Sequence, residues 1–310
     1  YIYNSIMNEK NNDLIRSPFF YVGDKYKLLK QLLPLFPENI KGRFVEPFVG
    51  GGSVYLNTNY NKCLLNDANS EVIELHKFLS TFQNIADLEY EYEKYIKKYK
   101  LTYSFKNKDF DKKILDNFPK TYFAEINREN YLNMRQDFNN SKNKDLMQLY
   151  VLMIYGFNRM LRFNSEGNFN IPVGNVDFNK NVYDALEGYI NKNKFKKIRF
   201  LNYDYKDFFN RHKFNTDDFI YIDPPYLISK SEYNKNWGEN NDYDLYEIID
   251  DLNSKKIRFV LSNILSHKEK ENKILKQWSK KYNLQFIDSN YISYHDNSQK
   301  NTKEVVVKNF

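Results

Sequence analysis

The residues that could do chemistry most directly are Asp223-Pro224-Pro225-Tyr226, which follow four β-compatible residues, 219–222. The apolar run predicts a short buried strand, and the prolines must end it because they lack an N–H and have a fixed φ. The carbonyls of Asp223 and Pro224 then point out of the carboxyl edge of the sheet, where open α/β sheets bind ligands. A carboxylate, a carbonyl and a flat ring together suit a planar group that carries an NH2, such as a nucleobase. Taken alone, the same residues also fit a simple turn.

A second group of residues predicts a nucleoside-binding site. In 43–54 an apolar strand runs into Gly50-Gly51-Gly52, and a helix begins there. Such a loop lets a ligand approach the backbone closely, although its spacing is neither a dinucleotide fingerprint nor a phosphate loop. Asp67 ends the next predicted strand, about 20 residues on, where an acid can bind the ribose hydroxyls of an adenosine-type ligand. The two features in register favour a nucleoside-bearing cofactor over a packing turn.

A third feature lies near the start of the chain. The segment 21–26 is predicted to turn at Gly23, which places Lys25 just before a predicted helix, 27–35. A lysine on a glycine turn beside an aromatic residue could hold a ligand carboxylate. By itself it could equally be a solvated loop residue.

Strands and helices alternate at both ends of the chain, whereas the middle is helical. Helical periodicity covers 71–82, 84–99, 127–139 and 145–156. From about residue 195 the predicted strands are 195–203, 219–222, 258–262, 284–294 and 303–308, and the predicted helices are 243–252 and 268–282. We expect a loose polar lead-in at 1–15 and a polar loop at 227–242, whose part 229–237 could close over a bound nucleotide.

Two stretches of the middle region could contact nucleic acid. In 156–174, which we call the ribbon, two β-like runs flank 165–167 and predict a hairpin. Its arginines and asparagines suit groove reading, Arg with guanine and Asn with adenine. The basic stretch 94–113 is interleaved with aromatic residues; a solvated face is the usual meaning of such a run, and a nucleic-acid surface is the alternative.

Composition narrows the class of protein. The 310 residues are 41% hydrophobic, enough for a large core, and the net charge of +7 favours a polyanionic partner. The single cysteine, Cys63, excludes an intramolecular disulfide framework and sits in an apolar stretch typical of a buried residue. The four histidines form no pair at ligand spacing, so we expect no structural metal. Without a signal-type or membrane-length apolar run, we expect a cytoplasmic protein with no membrane partner.

Together these features resemble the DNA adenine methyltransferases of the alpha order, the family that includes the GATC-methylating enzymes. Asp223-Pro224-Pro225-Tyr226 is similar to the catalytic tetrapeptide of that family, 46–54 to its cofactor loop, and 21–26 to its N-terminal cofactor motif. Gly51 departs from the pattern, since many members carry Ala there. The resemblance keeps the same order over most of the chain and is weakest in 84–125.

The resemblance implies a fold and a reaction. The fold is α/β: a Rossmann-like S-adenosylmethionine-dependent methyltransferase sheet with an inserted, mainly helical target-recognition domain that carries a β-hairpin. The implied catalytic domain covers 1–80 and 195–310, and the implied recognition domain covers 81–194. The reaction is methyl transfer from S-adenosylmethionine to the N6 amino group of a flipped adenine in DNA.

Residue roles carry over from the same resemblance. Lys25 would pair with the methionine carboxylate of the cofactor, and Asp67 would take its ribose hydroxyls. Asp223 and the Pro224 carbonyl would hold the adenine amino group, while Tyr226 would stack on the flipped base. The implied cofactor-binding set is Tyr21, Lys25, Glu46, Phe48, Gly50, Asp67, Asp204, Tyr205 and Asp223. The implied catalytic set is Asp223, Pro224, Pro225 and Tyr226.

The ribbon is similar to the GATC-reading hairpin of the family, which implies double-stranded DNA as the partner. Arg162 would read a guanine, Asn158 would contact the target site, Phe157 would wedge at the flipped base, and Pro172 would add a contact nearby. GATC is therefore the favoured target. We expect a monomer that is associated with the nucleoid through DNA, and it is open whether a cognate restriction endonuclease acts separately.

Two rival functions follow from the same residues. One keeps the transferase and changes the substrate to a cytosine amino group, an RNA or a protein glutamine, since the tetrapeptide suits any amino-group target. Asp at 223 and the arginine-bearing ribbon favour DNA adenine. The other is a basic, non-catalytic DNA-binding protein on a methyltransferase scaffold, against which the intact Lys25, Asp67 and Asp223 argue.

Overall fold

The computed structural model describes residues 14–229, 237–288 and 302–310, and within these ranges the chain builds an α/β fold around one eight-stranded sheet. The strands are β1 (Phe44–Glu46), β2 (Lys62–Asn66), β3 (Lys197–Leu201), β4 (Phe219–Ile222), β5 (Arg258–His267), β6 (Lys270–Glu271), β7 (Asn283–Ile287) and β8 (Thr302–Lys308). The helices are α1 (Leu29–Leu32), α2 (Ser53–Asn57), α3 (Ser70–Leu79), α4 (Ile85–Lys98), α5 (Lys112–Asn117), α6 (Tyr122–Asn140), α7 (Leu146–Tyr155), α8 (Lys180–Asn193), α9 (Tyr205–Arg211), α10 (Glu239–Ser254) and α11 (Lys273–Trp278). The predicted lead-in 1–15 and loop 229–237 lie mostly outside the described residues.

The sheet has the order β3-β2-β1-β4-β5-β8-β7, and β6 pairs with β5. The neighbours from β3 to β5 are parallel, whereas β8 is antiparallel to β5 and to β7. This mostly parallel sheet with helices confirms the predicted Rossmann-like α/β fold. The strand order reverses at β1, which lies between β2 and β4, and in open α/β sheets the crevice at such a point binds ligands.

Both faces of the sheet are buried, because residues that alternate along each strand enter different cores. Phe44, Phe219 and Tyr221 belong to a core shared with α3, α4 and α6 to α8. Val45 and Ile220 belong to a second core shared with α9 to α11. The helices of the expected recognition domain thus pack in one core with the catalytic sheet, and the domain boundary stays a prediction.

Helix starts follow local chemistry. An Asn or Asp side chain accepts a backbone N–H in the first turn of α3, α4, α5, α7, α8, α9 and α11. Nine of the ten residues of α7 are buried, as expected for a helix that is apolar all round. No described helix is both long and apolar enough to span a bilayer.

The ribbon is an antiparallel hairpin, but it has only isolated bridges, Gly156 with Val173 and Phe163 with Phe169. Its support comes from α6, whose side chains at successive turns bond to it. The Tyr131 hydroxyl and the Arg135 guanidinium donate to the Ile171 carbonyl at 3.1 and 2.9 Å, and Asn139 exchanges bonds with Phe169 at 3.0 and 2.9 Å. The helix fixes the ribbon where ladder bonds are few.

Three of the eight lysines in the basic stretch 94–113 form ion pairs with acids of α4. Lys94 lies 2.7 Å from Glu91, Lys97 lies 2.6 Å from Glu93, and Lys106 lies 2.7 Å from Glu89. Aromatic residues of the stretch stack inward; Phe105 lies 4.2 Å from Tyr183, centroid to centroid. This part of the stretch is the solvated helix face that such runs usually form.

Some predicted element bounds were wrong near the C-terminus. The predicted helix 268–282 begins instead with β6, which pairs with the end of β5, and Asn272 then caps α11 by accepting the Leu275 N–H at 2.9 Å. Helix α10 begins at Glu239, so the loop before it is shorter than predicted. The predicted strand 284–294 corresponds to β7, and its part beyond residue 288 lies outside the described residues.

Asn66 is expected to hold the ligand-binding edge of the sheet together. Its buried amide donates to the carbonyls of Pro47 and Tyr203 and accepts the Tyr203 N–H, each at 3.0 Å. Asn66→Ala leaves these backbone groups unpaired, so we expect it to lower the free energy of unfolding by about 2–4 kcal/mol. Denaturant unfolding measures this. The exposed Asn181→Ala is the control, expected to change stability by less than about 0.5 kcal/mol; equal losses would contradict the role of Asn66.

Candidate active site

The corner after β4 brings together residues that lie far apart in sequence. The Lys25 Nζ lies 2.8 Å from the Asp223 Oδ2, and the Tyr226 hydroxyl donates to the Asp223 Oδ1 at 2.8 Å. Lys25 also lies over the Tyr226 ring, 5.0 Å from its centroid. The side chain of Lys25 is 3% exposed and that of Asp223 is 18% exposed. Both oxygens of the Asp223 carboxylate are therefore oriented, and the carboxylate stays accessible.

Glu304 on β8 faces the same lysine and was missed by the sequence reasoning. Its Oε1 lies 3.9 Å from the Lys25 Nζ, and its side chain is 2% exposed. Burial raises the pKa of the Glu304 carboxyl, while Lys25 lowers it part of the way. The sequence does place this acid directly before the apolar run 305–307. That position could have indicated a functional residue, because a buried strand seldom contains a charged residue without a function.

Glu46 ends β1 on the same edge of the sheet. It is 2% exposed, and its Oε2 has no hydrogen-bond partner among the described residues. Burial raises the pKa of the Glu46 carboxyl well above its usual range, and the nearby Asp223 carboxylate raises it further. The neutral form is thus strongly favoured in the folded protein.

The glycine loop fits closely against Tyr21. Gly50 and Gly52 have φ of +47° and +77°, a region that side chains rarely adopt. A Cβ at Gly51 would lie 2.7 Å from the Tyr21 Cβ, so an alanine at this position would need a local shift. The Gly50 N–H donates to the Asp67 Oδ2 at 2.8 Å, and the Asn69 N–H donates to the Oδ1 at 2.9 Å. Asp67 therefore stabilises the loop that it was predicted to accompany.

His76 supports the loop from behind, which sequence spacing did not reveal. Its Nε2 donates to the Gly50 carbonyl at 2.9 Å, and its Nδ1 lies 3.0 Å from the Tyr189 hydroxyl. Burial lowers the pKa of His76 to about 4, so the ring is neutral near pH 7. A neutral ring has one N–H, which the Gly50 carbonyl requires, so Nδ1 is the acceptor of the tyrosine hydroxyl.

An aromatic wall lines another side of the site. Phe48 and Tyr205 lie 5.7 Å apart, and the ring of Trp237 lies 5.8 Å from Phe48 and 5.2 Å from Tyr205. Asp204 caps α9 by accepting the Lys206 N–H at 2.9 Å, which fixes Tyr205 in the first helical turn. Trp237 was not in the predicted cofactor-binding set, although it ends the loop 229–237 that was predicted to close over a nucleotide. Such a wall suits a flat ligand ring.

These features enclose a cavity of about 570 Å³. All twelve residues predicted for cofactor binding or catalysis line it: Tyr21, Lys25, Glu46, Phe48, Gly50, Asp67, Asp204, Tyr205, Asp223, Pro224, Pro225 and Tyr226. Among the described residues, the Pro224 carbonyl accepts no backbone hydrogen bond. No group of three or more His, Cys, Asp or Glu among them could hold a metal ion, and the expected lack of a metal stays a prediction.

The predicted DNA-reading residues lie on the ribbon and do not line the cavity. Phe157 is 52% exposed, and Asn158 and Pro172 are exposed as well. Arg162 is half-buried; its Nε donates to the Asn170 Oδ1 at 2.9 Å across the ribbon. The structure thus separates a cofactor-sized cavity from a surface with exposed aromatic and polar side chains.

Comparison with known proteins identifies the class. Residues 21–293 match the family model of the D12 class N6 adenine-specific DNA methyltransferases. The chain belongs to this family, which confirms the resemblance drawn from the tetrapeptide and the glycine loop.

Named relatives fall into two groups. The chain is 34% identical to the type II methyltransferase M.FokI of Planomicrobium okeanokoites and 32% identical to the modification methylase StsI of Streptococcus sanguinis, over 97% and 99% of its own length. It spans 44% and 45% of those two proteins. It is also 28% identical to the DNA adenine methylase of Salmonella typhi, over 78% of each chain.

Glu46 gives a testable pH dependence. A carboxyl whose pKa is raised by folding stabilises the fold fully below its unfolded pKa, and this contribution is lost as the pH rises through the folded pKa. Glu46→Gln stays neutral at all pH values. We therefore expect the stability of the wild type relative to Glu46→Gln to fall as the pH rises above the ordinary pKa of a glutamate, because folding raises the pKa of Glu46.

Thermal unfolding of the ligand-free protein as a function of pH measures the difference. The exposed Glu38→Gln is the matched control, because it changes the same functional group outside the site. A stability difference that is independent of pH for Glu46→Gln would show that the buried carboxyl is not held neutral by the fold.

Proposed function

We propose that this chain transfers a methyl group from S-adenosylmethionine to the N6 amino nitrogen of an adenine in double-stranded DNA. The observation that carries the proposal is the corner after β4, where the Asp223 carboxylate, oriented by Lys25 and Tyr226 at 2.8 Å each, faces a cofactor-sized cavity. Family membership supports the same reaction. The chain spans less than half of M.FokI, so the activity is proposed for this chain on its own residues.

The cavity residues fit S-adenosylmethionine. The volume of about 570 Å³ lies within the range of cofactor sites, roughly 300–1,000 Å³. The glycine loop offers close backbone approach, the aromatic wall of Phe48, Tyr205 and Trp237 offers flat surfaces for an adenine ring, and Asp67 can accept ribose hydroxyls. When bound, S-adenosylmethionine supplies a methyl group on a positively charged sulfur, which is a good leaving group.

Lys25 is the proposed partner of the methionine carboxylate. Its Nζ lies 2.8 Å from Asp223 and 3.4 Å from the Gly23 carbonyl, so the methionine carboxylate would share the ammonium with these groups or replace one of them. Tyr21, Glu46 and Gly50 would shape the pocket around the same end of the cofactor, and Asp204 and Tyr205 would lie near its adenine.

Asp223 and Pro224 would then activate the target amino group. The amino nitrogen of adenine is a poor nucleophile because its lone pair is delocalised into the ring. Two acceptors, the Asp223 carboxylate and the Pro224 carbonyl, would take both N–H bonds and favour a pyramidal nitrogen. The nitrogen would take the methyl group directly as the neutral thioether leaves, and would lose one N–H proton, for which the Asp223 carboxylate is the adjacent acceptor. No covalent enzyme intermediate is then needed, and positioning carries much of the catalysis.

The target base must leave the duplex to reach this corner. Flipping costs a few kcal/mol, and stacking on Tyr226 would return about 1–3 kcal/mol. The hydrogen bond from the Tyr226 hydroxyl to Asp223 supports this role, since it fixes the ring beside the carboxylate.

The ribbon is proposed to read DNA. Phe157 would wedge at the flipped base, Asn158 and Pro172 would contact the target site, and Arg162 would read a guanine, with GATC as the expected target. The recognition domain would be 81–194, and 1–80 with 195–310 would form the catalytic domain. Relatives named modification methylases support a modification role, with any restriction endonuclease acting separately.

Asp223→Ala tests the reaction. Without the carboxylate the amino group loses one of two acceptors, so we expect methyl transfer to labelled duplex DNA to fall by at least about 100-fold. Lys25 loses its partner but keeps Glu304 at 3.9 Å, so folding should be retained. The exposed Asp217→Ala, a few residues before the corner, is the control and should keep normal turnover. Near-normal turnover of Asp223→Ala would refute the proposed role, and a wild type that transfers no methyl group would favour the non-catalytic rival.

Arg162→Ala tests the reading of sequence. We expect discrimination at one guanine position to relax by about 1–3 kcal/mol, since a bidentate contact to guanine would be lost. Modification mapping of DNA from expressing cells, with GATC as the expected site, gives the base and the context. The exposed Arg199→Ala on β3 removes an equal charge away from the ribbon. An unchanged mismatch profile for Arg162→Ala would exclude it as a reader.

A further inference from the structure

The ribbon and the cavity are joined by a contact that neither proposed role uses. The Arg159 guanidinium lies over the ring of Phe20, with its Cζ 3.7 Å from the ring centroid. Both residues have positive φ, 52° for Arg159 and 48° for Phe20, which is unusual for residues other than glycine. Two residues with unfavourable backbone conformations are thus in side-chain contact with each other. Such conformations persist only where the surrounding structure stabilises them.

On the cavity side, Phe20 belongs to a segment that rests on the glycine loop. It directly precedes Tyr21, which lines the cavity and would contact a Cβ at Gly50 or Gly51. The Ser17 hydroxyl donates to the Gly51 carbonyl. A ligand that displaces Tyr21 or the loop would therefore act on the segment that carries the Phe20 ring.

On the ribbon side, Arg159 stands at the base of the hairpin. It follows Phe157 and Asn158 directly, and its N–H donates to the Gly156 carbonyl at 3.0 Å. The Phe157 N–H donates to the Pro172 carbonyl at 2.8 Å. A change in the position of Arg159 would therefore shift Phe157 and Asn158, which are proposed to contact DNA.

The Arg159–Phe20 contact is strong for its kind. The Arg159 Nε is buried and has no hydrogen-bond partner among the described residues. Burial lowers the pKa of Arg159 to about 10, so the guanidinium is desolvated but still charged near pH 7. A desolvated cation gains more from the face of an aromatic ring than an exposed one.

We propose that Arg159 is a positioning residue that couples occupancy of the cavity to DNA binding by the ribbon, through its stack on Phe20. The proposal rests on the proposed function, since it assigns the methyl donor to the cavity and duplex DNA to the ribbon. By linkage, each ligand then changes the affinity of the other by the same factor.

The test is a double-mutant cycle on that coupling factor. The affinity for S-adenosylhomocysteine, which cannot donate a methyl group, is measured by titration. The titration is done with and without an unmethylated duplex that contains the recognition sequence found by modification mapping. We expect the duplex to tighten binding to the wild type by roughly 5–150-fold. Arg159→Met and Phe20→Leu should each reduce that factor by roughly 2–30-fold, and the double variant should lose no more than the stronger single variant.

Controls separate coupling from a structural role. Arg159→Met keeps the aliphatic stem, and Arg159→Lys, which keeps the charge, should restore part of the factor. Arg135→Ala loosens the ribbon from α6 instead, so it should weaken DNA binding and leave the factor unchanged. If Arg159→Met unfolds the protein, Phe20→Leu with Arg159→Lys carries the test alone.

The outcomes distinguish this inference from the proposed function. A wild type that binds both ligands with no mutual effect, or variants whose losses add, would overturn the coupling and leave the methyltransferase proposal standing. A wild type that binds no S-adenosylhomocysteine would overturn both.

Discussion

The candidate active site depends on the charge balance between one buried ammonium, that of Lys25, and the carboxyl groups of Glu46, Asp223 and Glu304. Lys25 is 3% exposed and forms its ion pair with Asp223 at 2.8 Å, while Glu304 lies 3.9 Å away. Removing a charge from water is costly unless it is paired. One ammonium cannot balance every acid near it, and burial raises the pKa of both Glu46 and Glu304. Folding therefore favours the neutral forms of the two glutamates, whereas Asp223, which is paired with Lys25, is the more exposed acid at 18%.

This charge cluster exists only when the sheet is complete. Lys25 comes from the turn before α1, Glu46 from the end of β1, Asp223 from the end of β4, and Glu304 from the antiparallel strand β8. The parallel strands bring their carboxyl ends to one edge, and β8 adds an acid from the opposite strand direction. Glu304 lies beyond residues 21–293, the part matched by the family model. The balance of charge around the catalytic corner thus depends on a strand outside the recognised family segment.

The sequence was sufficient where the chemistry is local. Two prolines end β4, three glycines precede α2, and an acid follows β2, so the corner after β4 and the glycine loop could be predicted together with the α/β fold. The pairing of Lys25 with Asp223 could not, because it depends on which strands become neighbours. His76 was missed because its partners, Gly50 and Tyr189, are distant in sequence. The error at 268–282 has a different cause: β6 is a two-residue strand, too short to show a period of two.

The ribbon has few ladder bonds, and hydrogen bonds across it and from α6 hold its side chains in place. Arg162 donates its Nε to Asn170 Oδ1 at 2.9 Å and accepts the Asn170 N–H with its own carbonyl at 3.2 Å. An arginine side chain carries about 2 kcal/mol of rotamer entropy. Because Arg162 is bonded to Asn170 in the folded protein, part of this entropy is already lost on folding and not on binding. A guanidinium has five N–H donors, so the two bonds from Nε and Nη2 to Asn170 leave three, enough for a bidentate contact with guanine. An arginine fixed in this way would lose less conformational entropy when it binds the correct base. The hydrogen bonds from α6 to the ribbon would then contribute to specificity without contacting DNA.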